Sequence, residues 1–378
     1  MVIRKIKLIN FRNYQNITIN FSDKTNIIIG NNAQGKTNIL ESIYTLALTK
    51  SYRTTNDSNL IRFDQEKFII SGDIKDEKIP KKLSLELTNN KKVVKINDNV
   101  VKKISNYIGN MYVILSSPDD LSIIKGSPVD RRNFLNIEIS QISNSYLKKL
   151  NEFNKLLKMS NDYLKLLFTN SIGDYSYLEI LTDNLIDREV DIYLERKQFI
   201  DNINKYIRDI YMNITNIDDL KMEYIPNIEI KEFSREKIKD SLKHKYKTNL
   251  QKEIALGMTL YGPHRDDFCL KINNEDIKVF GSQGQQKIAF LAIKFSEIKL
   301  FDDINLTKPI ILLDDVFSEL DRTKKNKLIK YIDTNYQLII TTNDLKDISK
   351  KILKDAKIFK ISNNKIIEEG GIDNGWKK

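Results

Sequence analysis

The sequence is poor in the residues that break helices and in those that bind soft metals. Its 378 residues include 13 glycines, six prolines, two histidines and one cysteine. A lone cysteine, Cys269, rules out an intramolecular disulfide. Added to His244 and His264 it cannot complete the four ligands of a structural zinc site. No apolar run approaches the ~20 residues that a membrane helix needs. The start, Met1 to Leu8, alternates apolar and basic residues and lacks the continuous apolar core of a signal peptide. These absences predict a cytoplasmic protein with no membrane partner. Isoleucine, asparagine and lysine are abundant. Lys and Arg outnumber Asp and Glu by 62 to 51, a net charge of +11, which favours a polyanionic partner such as nucleic acid. An evenly spread lysine surface would give the same total, so charge alone does not locate such a partner.

The scarcity of breakers is uneven. Between Val129 and Leu256 there is one glycine, Gly173, and one proline, Pro226, so this stretch reads as long helices. Tyr146, Leu150, Phe153 and Leu157 repeat at helical spacing, as do Phe199, Ile203, Tyr206 and Ile210. Two such helices joined near Asn170–Gly173 make an antiparallel arm, and Lys221–Pro226 reads as an edge strand. The flanks are richer in strands. Residues 2–9 and 17–21 alternate apolar and polar, 67–101 is strand-rich, and Met111–Leu115 is a short apolar strand stopped at Pro118. Phe268, Leu270 and Ile272 alternate as a strand, and Ile277, Val279 and Phe280 read as its return. The expected division is 1–128, 129–256 and 257–378, with the helical insert between the two parts of one α/β core.

The most specific stretch is Gly30-Asn31-Asn32-Ala33-Gln34-Gly35-Lys36-Thr37. It follows an apolar strand, Thr25–Ile29, and opens a helical run from Asn38. A strand, a loop with the spacing Gly-x4-Gly-Lys-Thr and then a helix form the phosphate-cradling loop of nucleotide hydrolases. Its glycines let backbone N–H groups turn toward phosphate oxygens, and the helix start adds its positive end. Lys36 is expected to reach the β and γ phosphates of ATP, and Thr37 to ligate Mg²⁺. Far along the chain, 282 − 36 = 246 residues after Lys36, Ser282-Gln283-Gly284-Gln285 opens another helix and is similar to the signature loop of ABC-type ATPases. Pro309 to Asp315 then reads as a buried parallel strand ending in two carboxylates. Asp314 is the expected Mg²⁺ ligand. Asp315 is the expected base for the attacking water, a post usually filled by Glu in that class. Ser318-Glu319-Leu320-Asp321 matches the following D-loop. No histidine stands near Thr341-Thr342-Asn343, so Thr342 or Asn343 is left for the switch position.

These motifs occur in one order, and together the chain resembles the RecF family, an SMC-like branch of the ABC-type ATPases. Carrying the resemblance are Asn10-Phe11-Arg12-Asn13-Tyr14, Gly30 to Asn38, Ser117 to Leu121, Gly126-Ser127-Pro128 with Arg131-Arg132, Gly262-Pro263-His264-Arg265-Asp266-Asp267, Ser282 to Gln286 and Leu312 to Asp321. Two positions depart from the family pattern: Ala33 stands in place of Gly, and Lys287 in place of Arg. The resemblance implies an ABC-type ATPase head with a P-loop core, a strand-rich N-terminal part and a second lobe bearing a short helical arm. It implies that ATP is bound by Gly30 to Asn38 with Arg12, and that the signature Ser282 to Gln285 acts in trans on the nucleotide of a second subunit, giving an ATP-dependent homodimer. It implies binding of double-stranded, gapped or junction DNA and of single-stranded gaps, work with RecR and RecO in loading RecA, support of the SOS response, and slow hydrolysis acting as a release switch. Arg53, Arg131 and Arg132 are the expected DNA contacts, chosen for their places on loops or helix starts. Three other readings compete. A transporter ATPase subunit would not carry so long an insert. A clamp using ATP only structurally would not need Asp315. A condensin-type head would need a much longer coiled coil than 378 residues supply.

Overall fold

Strand and helix segregate along the chain as the distribution of breakers and of alternating residues dictates. The computed structural model describes residues 1–371 apart from 77–78, 90, 171–173, 305, 318–319 and 332–334. In chain order its strands are β1 (Val2–Phe11), β2 (Tyr14–Asn20), β3 (Thr25–Ile29), β4 (Lys67–Lys75), β5 (Lys81–Thr88), β6 (Lys91–Ile96), β7 (Asn99–Val100), β8 (Val113–Ser116), β9 (Leu220–Ile225), β10 (Asp267–Ile272), β11 (Glu275–Asp276), β12 (Ile310–Asp314), β13 (Leu338–Thr342), β14 (Lys357–Ser362) and β15 (Lys365–Gly371). The helices are α1 (Lys36–Leu48), α2 (Ile104–Tyr107), α3 (Leu121–Lys125), α4 (Pro128–Ile142), α5 (Asn144–Asn170), α6 (Tyr175–Thr215), α7 (Arg235–Leu256), α8 (Ile277–Phe280), α9 (Gln283–Asp303), α10 (Arg322–Ile329) and α11 (Lys350–Leu353).

The chain divides into two units. The first comprises residues 1–120, 209–217 and 290–378, and the second 121–208 and 218–289. The sequence-based boundaries at 128/129 and 256/257 therefore do not coincide with the observed ones at 120/121 and 289/290. α3, β10, β11, α8 and the first residues of α9 all belong to the helical unit.

In the first unit, β3 pairs in parallel with β13 and β14, β13 with β12, and β12 with β8, giving the order β15-β14-β3-β13-β12-β8. These central strands are buried on both faces, as continuous runs such as Ile310–Leu313 require. α1 packs on this sheet with its apolar side chains buried. A second, antiparallel sheet runs β2-β1-β4-β5-β6-β7. Its alternation is strict: Leu83, Leu85 and Leu87 are fully buried, while the intervening residues of β5 are not.

The second unit holds α5 and α6 as far as Arg208, the two expected arm helices, and the expected edge strand β9 in the sheet β11-β10-β9, while the last residues of α6 belong to the first unit. Ile207 rather than Tyr206 continues the buried stripe of α6. One expectation is overturned. Ile277–Phe280 is a single helical turn capped by Asp276, whose side chain accepts from Lys278 N at 2.8 Å, and it leaves Val279 and Phe280 exposed. The alternation of apolar residues there was too short to distinguish a strand from one helical turn.

Candidate nucleotide site

The phosphate loop runs from β3 into α1 as its spacing requires. Gly35 holds φ 98°, and a Cβ there would stand 2.6 Å from the Tyr14 hydroxyl. At Gly30 a Cβ would meet the Ile361 carbonyl oxygen at 2.5 Å. Ala33 adopts φ 63°, the left-handed region that explains why glycine is the usual residue at this place. Asn31, Asn32 and Ala33 form the exposed rim of the loop, and Gln34 is tied by its side-chain oxygen to the Asn363 N–H in the β14–β15 turn. Tyr14 donates its hydroxyl to Gly35 O at 3.1 Å, so β2 props the loop from below.

Lys36 is buried, and its ammonium is folded into the loop. It donates to Gly30 O at 2.7 Å, Asn31 O at 2.9 Å and Asn343 Oδ1 at 2.9 Å. Burial lowers its pKa, opposed by the nearby carboxylates of Asp315 and Asp314. Of the two candidate switch residues, Asn343 is thus brought to the site. Thr342 is fully enclosed and turns its hydroxyl to Asp344 O at 3.0 Å.

The parallel register places the acid end of β12 beside the start of α1. Thr37 Oγ1 donates to Asp314 Oδ1 at 3.1 Å. Thr341, paired with Asp314 across β12 and β13, donates to the same oxygen at 2.6 Å. Tyr52 OH lies 3.5 Å from the other carboxylate oxygen. Burial raises the pKa of Asp314. A desolvated carboxylate next to a hydroxyl is an all-oxygen donor pair suited to a hard cation, so Thr37 and Asp314 fit Mg²⁺. Among the described residues no cluster of three or more His, Cys, Asp or Glu could hold a metal by itself. Asp315 follows in the left-handed region, φ 51°, with its N–H held by Thr341 Oγ1 at 3.0 Å. Half-buried, it lies near enough to Lys36 and Asp314 to act on both electrostatically.

Three residues important here were not expected from sequence: Thr341, Tyr14 and Glu41. Arg12 closes on Glu41 through Nε and Nη2, and Arg53 also reaches Glu41 and donates to Asn38 Oδ1 at 2.9 Å. Asn38 in turn donates to Asn13 Oδ1 at 2.7 Å. Their signal was weak: a Thr pair at a strand end, an aromatic after a turn, and an acid in an apolar helix.

The signature lies in the second unit as a helix start. Ser282 and Gln285 cap α9 reciprocally, Ser282 N donating to Gln285 Oε1 at 2.8 Å and Gln285 N to Ser282 Oγ at 3.3 Å. Ser282, Gln283 and Gly284 are exposed, and nothing lies within 4 Å of a Cβ built on Gly284. Asp321 caps α10 through Lys324 N at 2.9 Å, while Ser318 falls outside the described residues.

The arginines expected to meet DNA are engaged within the protein. Arg131 is buried, with Nε 2.5 Å from Asp267 Oδ1 and Nη2 2.8 Å from Oδ2. Arg132 donates to Asp266 O at 2.7 Å. Arg53 joins the cluster at α1. Arg131 is thereby corrected from a surface contact to an internal tie, its side chain only 8% exposed, whereas Arg132 is half-buried and Arg53 is exposed, so DNA contact by these two stays a proposal.

Gly262-Pro263-His264-Arg265-Asp266-Asp267 is the hub of the second unit. Arg196, almost wholly buried, donates to Asp266 Oδ2 at 3.0 Å and to Pro263 O at 2.6 Å. Tyr224 and the Asn227 N–H also donate to Asp266. Gly262 holds φ 127°, and a Cβ there would overlap Glu189 Oε1. His264 is held down to about 4, chiefly by burial, and Glu253 is pushed up to about 7 by the same cause.

The RecF/RecN/SMC N terminal domain family matches residues 2–366. The DNA replication and repair protein RecF of Exiguobacterium sp. is 41% identical over 371 residues, covering 98% of this chain and 100% of its own length. That of Ligilactobacillus salivarius is 40% identical over 373 residues, 98% of both chains. The solved recombination mediator protein RecF with ATP, of the RecFOR pathway, superimposes with a TM-score of 0.89 at 32% identity, over 98% of this chain and 97% of that one. The Smc head domain of Pyrococcus furiosus, at 14% identity and a TM-score of 0.56 over 98% of this chain and 97% of that one, shares the fold.

Proposed function

This chain belongs to the RecF family, and we propose that it is a slow, Mg²⁺-dependent ATPase whose ATP-bound dimer holds DNA in recombinational gap repair. The observation that carries this reading is the corner formed by Lys36, Thr37, Asp314 and Asp315. A loop lysine, a helix-start hydroxyl, a buried carboxylate and a second carboxylate converge from β3, α1 and β12. Lys36 already makes three hydrogen bonds with the loop and Asn343, and phosphate oxygens replace those acceptors when nucleotide binds. Thr37 and Asp314 would hold Mg²⁺, which neutralises phosphate charge when present. Asp315 accepts the proton of the water that attacks the γ phosphorus, and ADP leaves with the broken bond's electrons. Asn343 supplies a side-chain amide at the γ-phosphate end of the loop.

In this reading Ser282 to Gln285 completes the site of a second subunit. Their exposure and the open space at Gly284 support it. RecR and RecO are the partners, loading RecA onto single-stranded gaps the outcome, and the SOS response the wider setting. The experiment is nucleotide binding followed with a fluorescent ATP analogue. Lys36→Met removes charged hydrogen bonds worth about 1.5–3 kcal/mol each, so affinity drops at least about a hundredfold. Retention of duplex DNA by wild type is expected only with ATP and weakens as salt rises. Unaltered affinity in Lys36→Met, or equal DNA retention without ATP, refutes the reading.

A further inference from the structure

Glu41 lies on α1, little more than one turn past Lys36, and its carboxylate is fully buried. Three donors from other segments meet it. Arg12 approaches with Nε 2.9 Å from Oε2 and Nη2 2.5 Å from Oε1. Ser51 donates its hydroxyl to Oε1 at 2.6 Å. Arg53 donates from Nη1 to Oε2 at 3.2 Å. Arg12 also reaches Asn59 O at 2.9 Å and sits at φ 53°, a backbone setting that a long L side chain keeps only where its surroundings impose it.

A buried carboxylate is costly unless paired. Here one anion is shared by two guanidinium groups, so the cluster keeps a net positive charge. Arg53 commits only Nη1 to it, is 35% exposed, and its field extends to Asp314, where it counters the effect of burial. Asn38 and Asn13 connect the cluster to the first turn of α1 and to the turn at Asn364.

We infer that Glu41 is a positioning residue for nucleotide binding, clamping Arg12 and Arg53 so that two fixed positive charges stand beside the phosphate loop. The inference rests on the ATP reading above. Glu41 is enclosed and acts through the two arginines. Their ordering is completed when the chain folds and is not charged against binding.

The test is the substitution Glu41→Gln, which keeps the volume but loses the charge and turns an amide N–H toward a guanidinium. The expected result is a Kd for the fluorescent ATP analogue about tenfold or more above wild type, with KM rising alike and kcat changed by less than about threefold. Glu41→Asp, with the charge kept but withdrawn by one methylene, gives an intermediate Kd. On an Arg12→Ala/Arg53→Ala background Glu41→Gln costs no further affinity, because nothing is left to position. A folded Glu41→Gln with wild-type Kd, or its full cost added on the double-alanine background, overturns the inference. Should Glu41→Gln fail to fold, Glu41→Asp decides, and an unchanged Kd overturns it. Normal nucleotide binding by Lys36→Met would instead remove the ATP reading itself.

Discussion

Asp314 and Asp315 are adjacent in sequence and chemically distinct in place. Asp314 ends β12, is buried, and takes hydrogen bonds from Thr37 and Thr341. Asp315 turns into the left-handed region and stays half-exposed. Asp315→Asn is therefore expected to bind ATP nearly as well as wild type while turnover falls about 10²- to 10⁴-fold, the usual yield of a positioned general base. Asp314→Asn loses Mg²⁺-dependent binding. Nucleotide affinity with and without Mg²⁺, set beside steady-state phosphate release, separates the two. Wild-type turnover in both variants would show the assignments to be wrong. At this scale the sequence was legible for which side chains would meet, as at Lys36, Thr37 and the paired aspartates, because strand, loop and helix at fixed spacing decide where each is placed. Thr341 was not legible, because its role comes from standing opposite Asp314 in a parallel register that only the folded sheet reveals. Arg131 misled for a related reason: a cation near a loop reads as a surface contact until its carboxylate partner, distant in sequence, is seen, here Asp267.

Among the elements, α5, α6 and the central strands could be read from apolar periodicity and the lack of breakers. α8 could not, since four residues carry no period. The turn between α7 and β10 shows what family-specific residues do in a unit without the nucleotide loop. Gly262 admits Glu189, Asp266 gathers Arg196 and Tyr224, and Glu253 accepts from Leu260 N at 2.7 Å. Burial raises Glu253 from 4.5 to about 7, so the folded state holds its proton more tightly than the unfolded chain. Its contribution to stability is present below about 4.5 and is lost as pH rises to about 7. His264 has the opposite sign. Lowered from 6.5 to about 4, it contributes stability above 6.5 that is lost as pH falls toward 4. Glu253→Gln retains the bond to Leu260 and removes one titration. Against wild type the variant should gain stability as pH rises from about 4.5 through 7, by up to about 3 kcal/mol. Urea midpoints by circular dichroism at several pH values test this, and a pH-independent difference would show that Glu253 does not titrate in that window.

For the whole molecule the question is whether one chain holds a complete site. Lys36 and the carboxylates belong to the first unit, Ser282 to the second, and Ser282, Gln283 and Gly284 leave their surfaces open. Ser282 and Gln285 satisfy each other as a cap, so the helix start is stable without an anion, and its remaining N–H groups and positive end are available for one. If a second subunit supplies that anion as bound nucleotide, two chains are needed for each site. Ser282→Arg then leaves ATP affinity within about threefold of wild type, because the loop from Gly30 to Thr37 makes the contacts within the subunit. It is expected to abolish the ATP-dependent increase in mass that the two-subunit site requires of wild type, measured by size-exclusion chromatography with light scattering, and to lower ATPase activity with it. The cap itself is a confounder, since arginine also removes the Ser282 hydroxyl from Gln285. Ser282→Asn, which can still cap α9, is the control and should retain most of the fold stability lost through the cap, about 1 kcal/mol. Mixing Ser282→Arg with Lys36→Met restores one composite site per heterodimer: the intact loop of one chain meets the intact signature of the other. Partial recovery of ATP hydrolysis in the mixture, absent from either variant alone, is the expected outcome. Undiminished hydrolysis by monomeric Ser282→Arg would mean that each chain completes its own site, and the two-subunit arrangement would have to be abandoned.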